Sequence, residues 1–124
     1  MIKMISFDFD GTIVTHKFAD DFWLEGVPKL YAKQNHMNLK TAQKYLLEEY
    51  NKIGDKRIEW YDPVYWFNRF KINSDWNVLL KSYQQSVEIY PDAVSVLKRL
   101  SQSFPLIVSS NAKREFINIQ LEFS

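Results

Sequence analysis

The sequence predicts an α/β unit in which two buried strands lie parallel and are separated by a helical insertion. Residues 2–9 carry apolar side chains on both parities, which is typical of a strand buried on both faces. Residues 104–108 form a second short apolar run of the same type. Between residues 18 and 88 the apolar spacing changes from two to about 3.6, which predicts helices. Because a crossover of this length connects parallel neighbours, we expect the two strands to pair in parallel.

The first half of the insertion is predicted to contain two helices. Residues 20–36 have helical spacing, but Gly26 and Pro28 interrupt the pattern, so this helix is expected to be kinked or split. Residues 39–53 form the second helix, with Asn38 as its N-cap and a glycine directly after its last turn.

The remaining helices are predicted from their start signals. Asp62 followed by Pro63 is typical of an N-cap and a first helical position. Ser74 is the expected cap of the next helix, and a further helix is expected to follow Asp92. The closing segment is predicted to be helical with Asn111 as its cap.

Composition and charge exclude several classes of function. The 124 residues are 46% hydrophobic and 25% charged, which is typical of one soluble globular domain. Sixteen basic and fifteen acidic residues give a net charge of +1 without a run of five or six like charges, so we expect no nucleic-acid partner. No apolar run approaches the ~20 residues of a membrane span, so we expect no membrane partner. The absence of cysteine excludes thiolate chemistry and disulfides and favours a cytoplasmic location.

Two carboxylates end the first predicted strand. Asp8 and Asp10 lie on alternate residues and therefore on the same side of an extended chain. Like charges this close repel one another unless a cation or a shared proton intervenes, so the pair is a candidate Mg²⁺ site. The alternative interpretation is structural, with Asp10 and Gly11 forming a turn and Asp8 acting only as a cap.

The segment Asp8-Phe9-Asp10-Gly11-Thr12-Ile13 resembles the first motif of the haloacid dehalogenase superfamily of hydrolases. The resemblance implies that Asp8 is a nucleophile that forms an aspartyl-phosphate. It implies that Asp10 protonates the leaving oxygen and then activates water, and that both aspartates bind Mg²⁺. Gly11 and Thr12 are expected to contact the phosphate, since a glycine lets backbone N–H groups approach it closely.

The segment after the second predicted strand resembles the second motif of the same superfamily. In that motif an apolar strand ends in a hydroxyl residue, which hydrogen-bonds a phosphate oxygen. Ser109 takes this role first, Ser110 is the neighbouring alternative, and Asn111 completes the predicted phosphate-binding set. The alternative for all three residues is a simple helix cap.

The resemblance also implies a domain organisation. We expect a partial, Rossmann-like parallel-sheet core formed by residues 1–17 and 89–124, with residues 18–88 inserted as an α-helical cap. Fifteen of the twenty aromatic residues lie between residues 18 and 90. Most are expected to form the core of the insertion, and an aromatic substrate pocket is the alternative. His16 and His36 have no second ligand at metal spacing and are expected to be surface or packing residues.

The third and fourth motifs of the superfamily, a lysine and later acidic residues, have no convincing match. Lys113 and Arg114 lie at a helix start, where the superfamily does not carry its lysine. We therefore expect a truncated or cleaved part of a longer enzyme, which self-associates or needs a companion fragment.

The predicted function is that of a Mg²⁺-dependent phosphatase acting on a small phosphorylated metabolite. The alternatives are a phosphotransferase of the same superfamily and a noncatalytic binding or regulatory module. The second aspartate, Asp10, disfavours dehalogenation, since members that cleave carbon–halogen bonds lack it.

Overall fold

The computed structural model describes residues 5–8, 14–103, 106–109 and 114–122. Two strands and seven α-helices follow one another in these ranges, together with one π-helical turn, Phe22–Gly26, and two 3₁₀ turns, Ile58–Tyr61 and Gln84–Ser86. In chain order the strands and helices are β1 Ile5–Asp8, α1 Lys17–Asp21, α2 Val27–Gln34, α3 Leu39–Ile53, α4 Pro63–Arg69, α5 Trp76–Ser82, α6 Ala93–Ser101, β2 Leu106–Ser109 and α7 Arg114–Glu122.

The two predicted strands pair in parallel as expected, but in the described ranges they are shorter than predicted and form no sheet layer of a core. Strands β1 and β2 pair in parallel over four residues each, from Ile5 opposite Leu106 to Asp8 opposite Ser109, and this pair is the whole sheet of the described ranges. An α/β core needs a sheet broad enough to form a layer between helices, and two short strands do not provide one. The predicted Rossmann-like parallel-sheet core is therefore wrong for the described part of the chain, in which helices predominate and pack on one another.

Helix α3 has the ends that the sequence predicts. The side chain of Asn38 accepts a hydrogen bond of 2.8 Å from the backbone N–H of Thr41 and so caps the first turn. At the other end Gly54 has a φ of +80°, and its N–H donates to the carbonyl oxygen of Tyr50. Few residues other than glycine adopt this backbone conformation, so both predicted ends are confirmed.

The starts of α4 and α5 agree only partly with the prediction. Asp62 accepts a hydrogen bond of 3.0 Å from Val64 N–H, and Pro63 is the first helical residue, as expected. Helix α5 is capped by Asp75, which accepts from Asn77 N–H at 2.8 Å, so the predicted Ser74 cap is wrong by one residue. Both residue types suit the position, and the carboxylate adds a favourable interaction with the positive end of the helix.

The first predicted helix of the insertion is split, as expected from Gly26 and Pro28. Helices α1 and α2 are joined by the π-helical turn, which ends at Gly26. A Cβ atom on Gly26 would lie 2.7 Å from Cε2 of Tyr83, so a larger residue would clash with that ring. Glycine therefore allows the turn and the Tyr83 ring to approach closely.

Aromatic side chains form most of the helical core, which confirms that expectation. The largest cluster of buried residues combines aromatic rings with aliphatic side chains of α2, α3 and α5. Helix α7, which follows the second strand, contributes Phe116 and Ile119 to this cluster. The aromatic members that are almost completely buried are Phe18, Phe22, Tyr50, Trp66, Phe67, Phe70 and Phe116.

The chain enters and leaves the helical insertion at one place. Val14 and Ile89 form an antiparallel bridge, and Thr15 N–H donates to the carbonyl oxygen of Glu88 at 2.8 Å. The predicted boundaries of the insertion fall beside this bridge. The division into core and cap stays a prediction, since the largest hydrophobic cluster contains residues from both predicted parts.

Within the described ranges, no helix combines the length and the apolar character needed to cross a membrane.

Candidate functional site

Asp8 and Ser109 are the last residues of the two parallel strands. Their Cα atoms are partners in the register of the sheet, so the ends of both strands lie side by side. Neighbouring strands are about 4.8 Å apart, which places the two residues at one edge. This is the carboxyl edge, where open sheets of parallel strands bind their ligands.

The other predicted residues of the phosphate site, Asp10, Gly11, Thr12, Ser110 and Asn111, lie outside the described residues, as do the side chains of Asp8 and Ser109. Their predicted roles in catalysis, phosphate binding and metal binding therefore stay predictions. No group of three or more histidine, cysteine, aspartate or glutamate side chains that could hold a metal ion occurs in the described part.

A cavity of about 270 Å³ lies where α1, the π-helical turn, the 58–61 turn and α7 meet. Among the described residues, aromatic side chains form most of its walls, and the acidic and imidazole groups that line it are two carboxylates and one histidine ring. The aromatic lining residues are Trp23, Trp60, Tyr61 and Phe116, and the polar ones are His16, Asp20 and Asp55.

One face of the first helical segment supplies much of this lining. His16 is the N-cap of α1, Asp20 is one turn further on, and Trp23 follows in the π-helical turn. A spacing of four and then three residues places side chains on one helical face. That spacing is visible in the sequence, yet the prediction missed the site because the partners Asp55, Trp60 and Phe116 come from distant segments.

Contacts between rings hold the aromatic walls in place. Trp23 stacks on Phe116, with ring centroids 6.0 Å apart and an interplanar angle of 10°. Tyr50 lies edge-on to both tryptophans, 5.9 Å from Trp23 and 6.2 Å from Trp60. Because Tyr50 is buried and the pKa of its hydroxyl is raised by that burial, it stays neutral and donates to the Trp23 carbonyl oxygen at 2.9 Å. The aromatic rings that line the cavity are thus held in place by contacts with buried residues of the helical core.

Hydrogen bonds to the backbone fix the 58–61 turn at the other side of the cavity. Trp66 Nε1 donates to the carbonyl oxygen of Trp60 at 3.2 Å. The Tyr61 hydroxyl donates to the carbonyl oxygen of Asp55 at 3.3 Å. Both bonds hold the backbone of the short segments that carry the side chains of Trp60 and Asp55.

An ion pair beside the cavity ties α1 to the end of the insertion. Lys17 Nζ and Ser86 Oγ each donate to Asp21 Oδ2 at 2.7 Å. Burial of Asp21 opposes its ionisation, but the hydrogen bonds from Lys17 and Ser86 outweigh it and hold the pKa of the carboxyl below its ordinary value. The hydrogen bond to Asp21 in turn raises the pKa of Lys17. Lys17 is therefore a protonated structural partner of Asp21.

The two histidines are both exposed, as expected of surface residues. His36 follows α2 with a φ of +55° and lies apart from the cavity. His16 belongs to the cavity lining.

Comparisons with known proteins find similar solved structures and two curated relatives. One of the solved structures is a HAD phosphatase from Thermococcus onnurineus, similar with a TM-score of 0.80 and 23% identity over 98% of this chain and 56% of that chain. The GMP/IMP nucleotidase YrfG of Escherichia coli (strain K12) is 26% identical over 65 residues, which are 52% of this chain and 29% of the nucleotidase. The protein of the same name from Shigella flexneri gives the same values. No family model matches the chain.

The chain spans about half the length of the solved phosphatase, and its match covers less than a third of each nucleotidase. The likeness to the phosphatase is one of fold.

Proposed function

Because the comparisons confirm a resemblance to the haloacid dehalogenase-like superfamily, we propose that this chain carries part of the active site of a Mg²⁺-dependent phosphatase. The relatives support a hydrolase at the level of the superfamily. The proposed substrate is a small phosphorylated metabolite, and the proposed location is the cytoplasm. Purine nucleoside monophosphates are the first substrates to test, since the curated relatives are named as GMP/IMP nucleotidases.

The observation that carries the proposal is the register of the two strands. Asp8 ends β1, Ser109 ends β2, and the two residues are neighbours in the parallel pair. A nucleophile and a phosphate-binding hydroxyl must both reach one phosphoryl group. Placement at adjacent strand ends supports that arrangement.

The proposed reaction has two steps. In the first, a carboxylate oxygen of Asp8 attacks phosphorus, the bond from phosphorus to the ester oxygen breaks, and Asp10 gives its proton to the departing oxygen. In the second, Asp10 takes a proton from water, and the water oxygen attacks phosphorus. Inorganic phosphate leaves, and the Asp8 carboxylate is restored. The Ser109 hydroxyl donates a hydrogen bond to a phosphate oxygen throughout.

The donor set fits Mg²⁺. Asp8 would supply a carboxylate oxygen and Asp10 its backbone carbonyl oxygen, and this hard cation is commonly held by one or two carboxylates together with substrate phosphate. When bound, the ion neutralises charge between the phosphate and Asp8, which would otherwise repel one another.

Phosphate release by the full-length enzyme tests the nucleophile. Asp8→Asn is expected to abolish turnover while the circular dichroism spectrum is unchanged, since an amide of nearly the same size cannot form the acyl-phosphate. Asp92→Asn is the matched control, because Asp92 is exposed and its side chain makes no capping hydrogen bond to α6. Turnover retained by the Asp8 variant would refute its role.

Two further measurements test Asp10 and the metal. Asp10→Asn is expected to lose less activity on an aryl phosphate than on an alkyl phosphate, because a good leaving group needs little protonation. Equal losses on both substrates would contradict the acid role. Turnover is expected to stop in EDTA and to return with excess Mg²⁺, and full activity in EDTA would contradict the metal requirement.

A further inference from the structure

We infer that the cavity lined by Trp23, Trp60, Asp20 and Asp55 holds the organic group of the substrate, and that this group is a flat nitrogen-containing ring with N–H donors on its edge. The inference rests on the proposed phosphatase function, because it concerns the part of the substrate that the phosphate leaves behind.

The shape of the cavity favours a flat ring. The side chains of Trp23, Trp60 and Tyr61 are only partly buried, whereas many other aromatic side chains of this chain are packed into the core. Their rings therefore present surface to the cavity. Flat heterocycles stack on such rings with a favourable free energy that depends little on the identity of the ring.

The charge of the cavity favours a group that donates hydrogen bonds. Asp20 and Asp55 contribute two carboxylates, and no lysine or arginine is among the described residues that line it. Carboxylates accept hydrogen bonds and repel anions. The exposed carboxylate of Asp55 is thus a suitable acceptor for the N–H edge of a heterocycle.

The position of the cavity is consistent with a substrate that extends from the strand ends. His16 lies eight residues after Asp8, and Phe116 lies seven residues after Ser109. Residues that follow each strand end within eight positions thus line the cavity, as expected if the organic part of a substrate bound at those ends lies there. The π-helical turn that carries Trp23 is an uncommon backbone feature that occurs often at functional sites.

Quenching of tryptophan fluorescence by inosine tests the inference without any phosphate chemistry. Inosine carries a flat ring with an N–H donor, and 1-methylinosine is the matched probe in which a methyl group replaces that donor. We expect inosine to bind and 1-methylinosine to bind at least about tenfold more weakly, since the methyl group covers a carboxylate without offering it a hydrogen bond. Equal binding of the two nucleosides would refute recognition of the N–H edge.

Variants assign the binding to this cavity. Asp55→Asn is expected to weaken inosine binding about tenfold or more, and Trp60→Ala by ~5- to 150-fold through lost stacking. Trp76→Phe is the matched control for the tryptophan substitution, since Trp76 lies on α5 and does not line the cavity. Asp55 is exposed and its substitution does not threaten the fold, so unchanged binding in Asp55→Asn would overturn the proposal even if Trp60→Ala is unfolded.

The two proposals fail in different ways. The enzyme could hydrolyse GMP with a KM that Asp55→Asn does not change, while inosine quenches no fluorescence. That result would refute the proposed role of the cavity and leave the proposed phosphatase function standing. If the variants weaken inosine binding but the full-length wild-type enzyme releases no phosphate from GMP, the proposed role of the cavity is supported and the phosphatase proposal is refuted.

Discussion

Replacing Phe116 by leucine tests how the segment after β2 is joined to the helical core. Phe116 lies on α7, is 2% exposed, and is the residue of that helix that contacts the rings of the first helical segment. Its ring lies edge-on to Phe18 at 6.1 Å and to Phe22 at 5.1 Å, and it stacks on Trp23 at 6.0 Å. The substitution keeps an apolar side chain and removes these ring contacts.

The expected loss follows from those contacts. Each aromatic pair contributes about 0.5–1.5 kcal/mol beyond the burial of its area. The smaller leucine also leaves part of the space unfilled, whereas it keeps most of the apolar surface out of water. Phe116→Leu removes three aromatic pairs whose contributions partly overlap. We therefore expect it to lower the free energy of unfolding by about 2–4 kcal/mol. That loss is a large share of the roughly 5–15 kcal/mol by which a typical domain is stable.

Urea denaturation followed by circular dichroism measures this loss. The urea concentration at the midpoint of unfolding is expected to fall, and the dependence of the free energy of unfolding on urea concentration is expected to stay the same. Phe70→Leu is the matched control, since Phe70 is also a buried ring with several aromatic neighbours but does not line the cavity. Both variants are expected to lose stability, and only Phe116→Leu is expected to weaken inosine binding in the absence of urea. A loss below about 0.5 kcal/mol for Phe116→Leu would refute the packing of α7 on the helical core.

Three further substitutions test local features of the fold. Gly26→Ala is expected to cost about 1–3 kcal/mol, because the added Cβ would lie 2.7 Å from Tyr83, and a double-mutant cycle with Tyr83→Ala should remove that cost. Gly54→Ala is expected to cost about 1–3 kcal/mol through backbone strain at φ +80°, and open space around it means that no second substitution restores the loss. A hydrogen bond from Arg69 holds the pKa of the Glu49 carboxyl below its ordinary value of 4.5. The stabilisation of the fold by this ion pair is therefore complete above pH 4.5 and is lost as the pH falls through the lowered pKa. Glu49→Gln is therefore expected to unfold at lower urea than the wild type at neutral pH, with a gap that narrows as the pH falls below 4.5, and a gap that does not narrow in acid would contradict the ion pair.

The two confirmed ends of α3 illustrate what local sequence determines. Asn38 bonds to Thr41, three residues away, and Gly54 follows the last turn with a φ that few other residues adopt. Asp62 and Pro63 define the start of α4 in the same way. These interactions involve neighbours in the chain, so residue type and spacing are sufficient to predict them. Where two cap residues are adjacent, as at Ser74 and Asp75, local sequence did not decide between them.

For the candidate site, the sequence predicted more than the described residues test. The neighbouring ends of β1 and β2 agree with the expectation that Asp8 and Ser109 share one edge. The roles of Asp10, Gly11, Thr12, Ser110 and Asn111 stay predictions, because those residues lie outside the described ranges. A cavity with aromatic walls exists, but the alternative that aromatic residues of the insertion form a substrate pocket stays a prediction.

The sequence by itself determined the helical character of the insertion, the ends of individual helices and the apolar pattern of the two strands, because these depend on periodicity and on contacts within a few residues. Only the tertiary structure decided the register of the two strands, which rings surround Phe116, and that Asp20, Asp55 and Trp60 line one cavity. Trp23 and Phe116 are separated by more than ninety positions in the sequence and stack directly in the fold. Such contacts arise from packing several helices around one core, and the spacing of residues within each helix does not specify them.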